Sequence, residues 1–166
     1  MMMTNNLRKQ QGGFTYLLLL IALSVLAMAL LKSTDEVTMR YRERQEKELL
    51  FRGEQIRAAI ASYRAVGHGC FPTGFAQLLD DERGMKPVYH LRQHYRDPLT
   101  NREEWAMLYD PDGRWIGVTT AGQGTPLRKA GFGEDAVEFS KAKTYQDWKF
   151  TVKSDLNAPL PTACDR

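Results

Sequence analysis

The stretch RKQQGGFTYLLLLIALSVLAMALLK, residues 8–32, decides the fold. Its basic residues end before an uncharged apolar run over residues 14–31, and two glycines and an aromatic residue lie at the junction. As an α-helix this run is about 27 Å long, close to the ~30 Å hydrocarbon core of a bilayer. The run is therefore predicted to hold the chain at a membrane, while the polar remainder works in water.

The flanks of the apolar run predict its orientation. Arg8 and Lys9 precede it, whereas Lys32 is soon offset by Asp35 and Glu36. Since positive flanks stay in the cytoplasm, we expect a single-pass membrane protein with a cytoplasmic N-terminus and its globular domain outside. In a bacterium this would mean an inner-membrane protein with a periplasmic domain. The run is followed by LLKSTDE rather than by a small-residue cleavage site, so the helix is predicted to remain in the mature protein.

Charge argues against a nucleic-acid partner. The 166-residue chain carries a formal net charge of +3, and two of its basic residues lie in the predicted leader, residues 1–13. Nucleic-acid binding needs a clustered basic face, which the near-neutral remainder does not offer. Residues 67–166 are enough for one small domain with a modest core.

Residues 32–66 are predicted to continue the helix as an amphipathic half. They contain no proline and only one glycine, Gly53, while Gly67 and Gly69 supply a C-terminal stop. The apolar positions and Gly53 recur at spacings of four and three, which is one face of an α-helix. This face consists of Leu49, Gly53, Ile56, Ile60 and Tyr63.

After residue 66 the hydrophobic period changes. Short helices are predicted at residues 75–81 and 134–143, with a helical turn or two at residues 89–95. Alternating segments predict strands at residues 105–109, 115–119 and 148–153, the first two joined by the turn sequence DPDG. The predicted fold is α+β: a long N-terminal helix packed on an antiparallel sheet of three or four strands.

Two cysteines, Cys70 and Cys164, occur in the predicted periplasmic part. They lie too far apart in sequence for a CxxC redox or zinc motif. In an oxidising compartment a lone pair of cysteines favours a disulfide bond, which would tie the C-terminal tail to the end of the long helix. Two separate thiols are the alternative.

The sequence Gly13-Phe14-Thr15-Tyr16, heading an apolar helix behind a short basic leader, resembles the processing site of type IV pilin-like proteins. A second set of landmarks is similar in order to that of type II secretion pseudopilins: Phe71-Pro72-Thr73, Leu78-Leu79, Asp97-Pro98-Leu99-Thr100-Asn101, Trp105, Gly113 and Gly117-Val118. The resemblance implies a pilin-like fold and a structural role without enzymatic activity. It also implies that a prepilin peptidase cuts after Gly13 and methylates Phe14.

The resemblance further implies partners. Other pilin-like subunits would contact the N-terminal helix, and an inner-membrane assembly platform with a cytoplasmic ATPase would drive assembly. Most members of the family carry a glutamate where this chain has Leu18. A leucine cannot neutralise the terminal amine of a neighbour in lipid, which favours a minor subunit over the repeating one.

Cofactor sites are weakly indicated. Major pseudopilins bind calcium through an acid-rich loop near the C-terminus, where this chain has only Glu134 and Asp135, so no cofactor is predicted and calcium is the one candidate. His90 and His94 have the spacing of a zinc pair on a helix, but no HExxH motif surrounds them, and a solvated pair is the simpler expectation. The sequence suggests no pairing of serine, histidine and aspartate.

Two other functions compete with the filament subunit. One is a membrane-anchored periplasmic binding module that never polymerises and keeps residues 1–13. The other is an anchored metal hydrolase that uses His68, His90 and His94. The three tryptophans fall in predicted strands and are expected to be core residues.

Overall fold

The structure, a computed structural model, describes residues 12–164, although the side chains at 33–34 and 134–135 lie outside the description. The chain divides into two compact units, one ending at Arg42 and one beginning at Glu43. The described helices and strands are α1 (Gly12–Val66), α2 (Phe75–Leu79), β1 (Ala106–Tyr109), β2 (Trp115–Thr119), β3 (Phe150–Thr151) and α3 (Pro161–Cys164). Two 3₁₀ helices, Glu134–Lys141 and Tyr145–Asp147, precede β3.

The described part of the first unit is the N-terminal part of α1. Within it one window of 18 residues has a mean hydropathy of 2.6, and none of that window is buried. By length and composition this is one candidate membrane-spanning helix near the N-terminus. The predicted apolar helix is therefore confirmed as a helix with an exposed apolar surface.

The second unit contains a three-stranded antiparallel sheet in the order β1-β2-β3. The predicted turn between β1 and β2 is present, because the Gly113 N–H donates to the Asp110 carbonyl over 3.0 Å. Gly113 has a φ of +79°, a backbone conformation that glycine adopts without steric cost. The α+β class is thus confirmed, with three strands among the described residues.

The predicted apolar face of α1 lies on one side of the hydrophobic core. Leu49, Ile56 and Ile60 are fully buried, and buried aromatic side chains from the sheet and the 3₁₀ segments belong to the same hydrophobic cluster. The three tryptophans are core residues as expected, at 6% exposure or less: Trp105, Trp115 and Trp148. The ion pairs Glu43–Lys47 and Glu48–Arg52 also lie along α1, at 2.8 and 3.0 Å.

Gly53 lets the sheet approach the helix closely. A Cβ atom at this position would collide with the ring of Phe150, which is 2% exposed. We expect Gly53→Ala to lower the free energy of unfolding by about 1–3 kcal/mol, although alanine has the higher helix propensity. Urea denaturation followed by tryptophan fluorescence measures this loss.

The matched control for Gly53→Ala is the same change made together with Phe150→Leu, in which a smaller side chain leaves room for the new methyl group. The two changes should then be strongly non-additive, with the added Cβ costing less beside the introduced leucine than beside the native phenylalanine. Equal costs in both backgrounds would contradict the close contact.

Several local predictions differ from the structure in their bounds or in the type of element. Only Phe150–Thr151 of the predicted strand at 148–153 is a strand, because Trp148 closes the preceding 3₁₀ turn through a hydrogen bond from its N–H to the Tyr145 carbonyl. Residues 89–95 form bends rather than a helical turn, since the N–H groups of His90 and Leu91 both donate to the Leu78 carbonyl. The C-terminal tail contains the short helix α3, for which the sequence analysis predicts no element.

Candidate functional site

The predicted processing junction lies at the beginning of α1. Gly13 is helical, and no described atom lies within 4 Å of the position that a Cβ would take. Glycine costs about 1 kcal/mol relative to alanine inside a helix, so the described fold gives no steric reason for glycine here. Phe14, the next residue, is 68% exposed. The basic flank, Arg8 and Lys9, lies outside the described residues.

The helix surface beyond the junction carries no charged residue over residues 14–31 and is mostly apolar. Leu18, which stands where the resemblance expects a glutamate, is 57% exposed like its neighbours. Ser24 donates its hydroxyl hydrogen to the Leu20 carbonyl over 2.8 Å, so this polar group is satisfied within the helix. A surface of this kind suits lipid or other apolar helices rather than water.

The predicted disulfide bond is confirmed between Cys70 and Cys164, whose Cα atoms are 5.9 Å apart. It joins the segment just after α1 to the end of α3. The same tail is held by two arginines: Arg64 pairs with Asp155 at 3.1 Å, and Arg114 donates to the Ala158 carbonyl over 2.7 Å. The tail is therefore fixed to the domain at three points.

Arg114 and Asp110 form a buried ion pair. Each side chain is 1% exposed, and the guanidinium Nε donates to Oδ2 of Asp110 over 2.8 Å. Burial alone raises the pKa of Asp110, but hydrogen bonds from the backbone and guanidinium of Arg114 outweigh it, so the pKa lies below its usual value. The DPDG segment is thus a charged hairpin turn.

Glu46 is a second buried carboxylate, at 2% exposure. It accepts hydrogen bonds from the Tyr145 hydroxyl over 2.7 Å and from the backbone N–H groups of Leu127 and Arg128. These contacts hold the irregular loop that contains Leu127 and Arg128 against α1, in the part of that helix that belongs to the second unit. Charge-assisted bonds of this kind are about twice as strong as neutral ones.

The histidines do not occupy equivalent environments. His94 packs edge-on against Phe75 with ring centroids 4.5 Å apart. His90 is not solvated as expected, because its side chain is 0% exposed and both ring nitrogens are hydrogen-bonded. Among residues 12–164 no group of three or more His, Cys, Asp or Glu is placed to hold a metal ion. The side chains of Glu134 and Asp135, the calcium candidates, lie outside the described residues.

The structure brings together three residues that the sequence analysis did not connect. Nδ1 of His90 lies 2.8 Å from the Ser62 hydroxyl, and Nε2 lies 3.0 Å from the Asp81 carboxylate. Ser62 is on α1, Asp81 pairs with Val88 in an isolated bridge, and His90 follows that bridge. No short motif contains all three, so only the folded chain reveals them.

Comparison with known proteins identifies no relative. No family model matches the chain, and neither a curated protein nor a solved structure does.

Proposed function

We propose that this chain is a pilin-like structural subunit, more narrowly a minor type II secretion pseudopilin, anchored in a bacterial inner membrane. The observation that carries the proposal is the combination of the Gly13–Phe14 junction with an exposed apolar helix that begins there. Glycine is not required by packing at this position, which supports recognition by a processing enzyme. The α+β domain with its disulfide bond supports a role outside the cytoplasm.

In this proposal each part has a separate task. The apolar helix anchors the subunit before assembly, with its N-terminus in the cytoplasm and the domain in the periplasm. During assembly it exchanges lipid contacts for contacts with the helices of other pilin-like subunits. The domain carries specificity at the outer surface, and an inner-membrane platform supplies the movement.

Leu18 supports a minor rather than a repeating subunit. A terminal ammonium group of a neighbour, buried in an apolar bundle, costs several kcal/mol unless a carboxylate neutralises it. The exposed Leu18 side chain offers no such charge. A subunit used once, at an end of the filament, avoids this cost because it need not accept a neighbour's terminus.

The mature N-terminus tests the proposal. We expect the protein purified from the membrane of a cell with a prepilin peptidase to begin with N-methylated Phe14, as read by intact mass and N-terminal peptide sequencing. Gly13→Leu should block the cut and retain residues 1–13, whereas the neighbouring control Gly12→Ala should be processed normally. Because Gly13 has open space beside it, a blocked cut reports recognition rather than misfolding.

Two results would overturn the assignment. A mature chain that still carries residues 1–13 would indicate the non-polymerising anchored module. A chain that has lost residues 14–31 on export would exclude both readings, since neither an anchor nor an assembly helix would remain.

A further inference from the structure

Ser62, His90 and Asp81 form a linear chain of hydrogen bonds. The distances are 2.8 Å from the serine hydroxyl to Nδ1 and 3.0 Å from Nε2 to the carboxylate. The imidazole is fully buried, and its ring meets Tyr63 edge-on with centroids 5.5 Å apart. A nucleophile, a base and a group that orients the base are thus placed in order.

The Asp81 carboxylate determines which ring nitrogen of His90 carries the hydrogen. Asp81 accepts hydrogen bonds from the backbone and the guanidinium of Arg83, at 2.7–3.1 Å, and these hold the pKa of Asp81 well below its usual value. An ionised Asp81 can only accept, so Nε2 of His90 must donate to it. In the neutral imidazole Nδ1 then carries a lone pair, which accepts the hydroxyl hydrogen of Ser62.

The surroundings of Ser62 limit what this arrangement can do. Ser62 lies on the exposed side of α1, within reach of an external reagent. The backbone N–H groups in the interior of a helix bond to carbonyls one turn earlier, so they cannot stabilise an oxyanion beside the serine. The chain supplies a nucleophile and a base but no oxyanion site on α1, which suits one acyl transfer from an already activated donor.

We propose that Ser62 is a modification site that accepts an acyl group from an activated ester, with His90 as general base. The serine oxygen forms a bond to the ester carbonyl carbon while Nδ1 of His90 takes the hydroxyl proton. The carbon–oxygen bond to the leaving group then breaks, and His90 returns the proton to that group. The products are an O-acyl serine and a free alcohol, and Asp81 stabilises the transient imidazolium.

The full chain in detergent, treated with p-nitrophenyl acetate, tests the proposal. Acetylation is read by mass spectrometry of the tryptic peptides, with fragment ions that separate Ser62 from Tyr63. Ser140 is the matched internal control, because its exposed hydroxyl donates to the Val137 carbonyl and has no histidine partner. We expect Ser62 to be acetylated about 100-fold faster than Ser140, the lower end of general-base effects.

Equal rates at the two serines would overturn the proposal and leave the hydrogen bonds a purely structural role. His90→Gln, which keeps a polar group but removes the basic nitrogen, should reduce the rate at Ser62 to that at Ser140. A His90→Gln protein that folds and still reacts quickly would also overturn it. If that variant does not fold, the acetylation rates of Ser62 and Ser140 in the unaltered chain are sufficient to test the proposal. The state of the N-terminus is read separately, so this result and the proposed assembly role fail independently.

Discussion

Arg114→Met will lower the free energy of unfolding of the domain by about 3–5 kcal/mol, as expected when one member of a buried ion pair is removed. The guanidinium donates to Asp110 over 2.8 Å and to the Ala158 carbonyl over 2.7 Å, and it also pairs with Asp112. Methionine keeps much of the apolar stem but makes none of these bonds. The Asp110 carboxylate then keeps hydrogen bonds only from the backbone N–H groups of Asp112 and Arg114 and from the Ser154 hydroxyl, without a cation beside it, and the part-buried Ala158 carbonyl loses the guanidinium donor.

Urea denaturation of the full chain in detergent measures this loss, because all three tryptophans lie in the domain core and report its unfolding. Arg96→Met is the matched control, since Arg96 pairs with Glu103 at the surface, where both side chains are more than half exposed. We expect the control to cost less than about 1 kcal/mol. Similar losses in the two variants would show that the Arg114 pair is not a buried one.

The pH dependence gives the same prediction a second readout. The pKa of Asp110 is lowered in the folded state, so the pair stabilises the domain above the unfolded pKa of about 3.9. This contribution is lost as the pH falls through the folded pKa. The difference between the unaltered chain and Arg114→Met should therefore be largest near neutrality and shrink as Asp110 becomes protonated.

Loss of the Cys70–Cys164 bond is expected to lower the free energy of unfolding by about as much as Arg114→Met does. The bond closes a loop with a sequence separation of 94 residues, for which the chain-entropy model gives about 4 kcal/mol. Replacing both cysteines with serine removes the bond and leaves no unpaired thiol. The urea midpoint of the double variant should fall accordingly.

Dithiothreitol supplies the control for the disulfide prediction. It should lower the urea midpoint of the unaltered chain to that of the double serine variant and leave the variant itself unchanged. The stabilising role of the disulfide bond would be contradicted if dithiothreitol left the urea midpoint of the unaltered chain unchanged while mass spectrometry showed that its cysteines were reduced.

The parts of the fold that sequence predicts well are those with strong local signals. Helical spacing alone predicts the buried face of α1 from Leu49 to Tyr63, because it determines which side chains share a face. Strand β2 was predicted with its observed bounds, since the DPDG turn marks its beginning. Both signals are contained in a few consecutive residues.

The parts that were missed depend on distant contacts. The predicted strand at 148–153 is the exception, because its first residue, Trp148, instead closes a local 3₁₀ turn that a capping box between Thr144 and Asp147 stabilises. The contact of Ser62 with His90 spans 28 residues, and that of Asp81 with His90 spans nine. The sequence alone predicts His90 in solvent. Its burial depends on the hydrogen-bond partners that the fold provides, and these are not visible in the local sequence.

The close approach at Gly53 has a mechanical consequence. With the ring of Phe150 packed against a helix position that has no side chain, α1 residues 49–63 cannot slide along the sheet without displacing that ring from the core. A pull along the helix axis would load this packing in shear, together with the contacts of the Glu46 carboxylate. Parallel loading of this kind resists force better than peeling the same contacts one by one, so the domain should withstand tension that reaches it through α1.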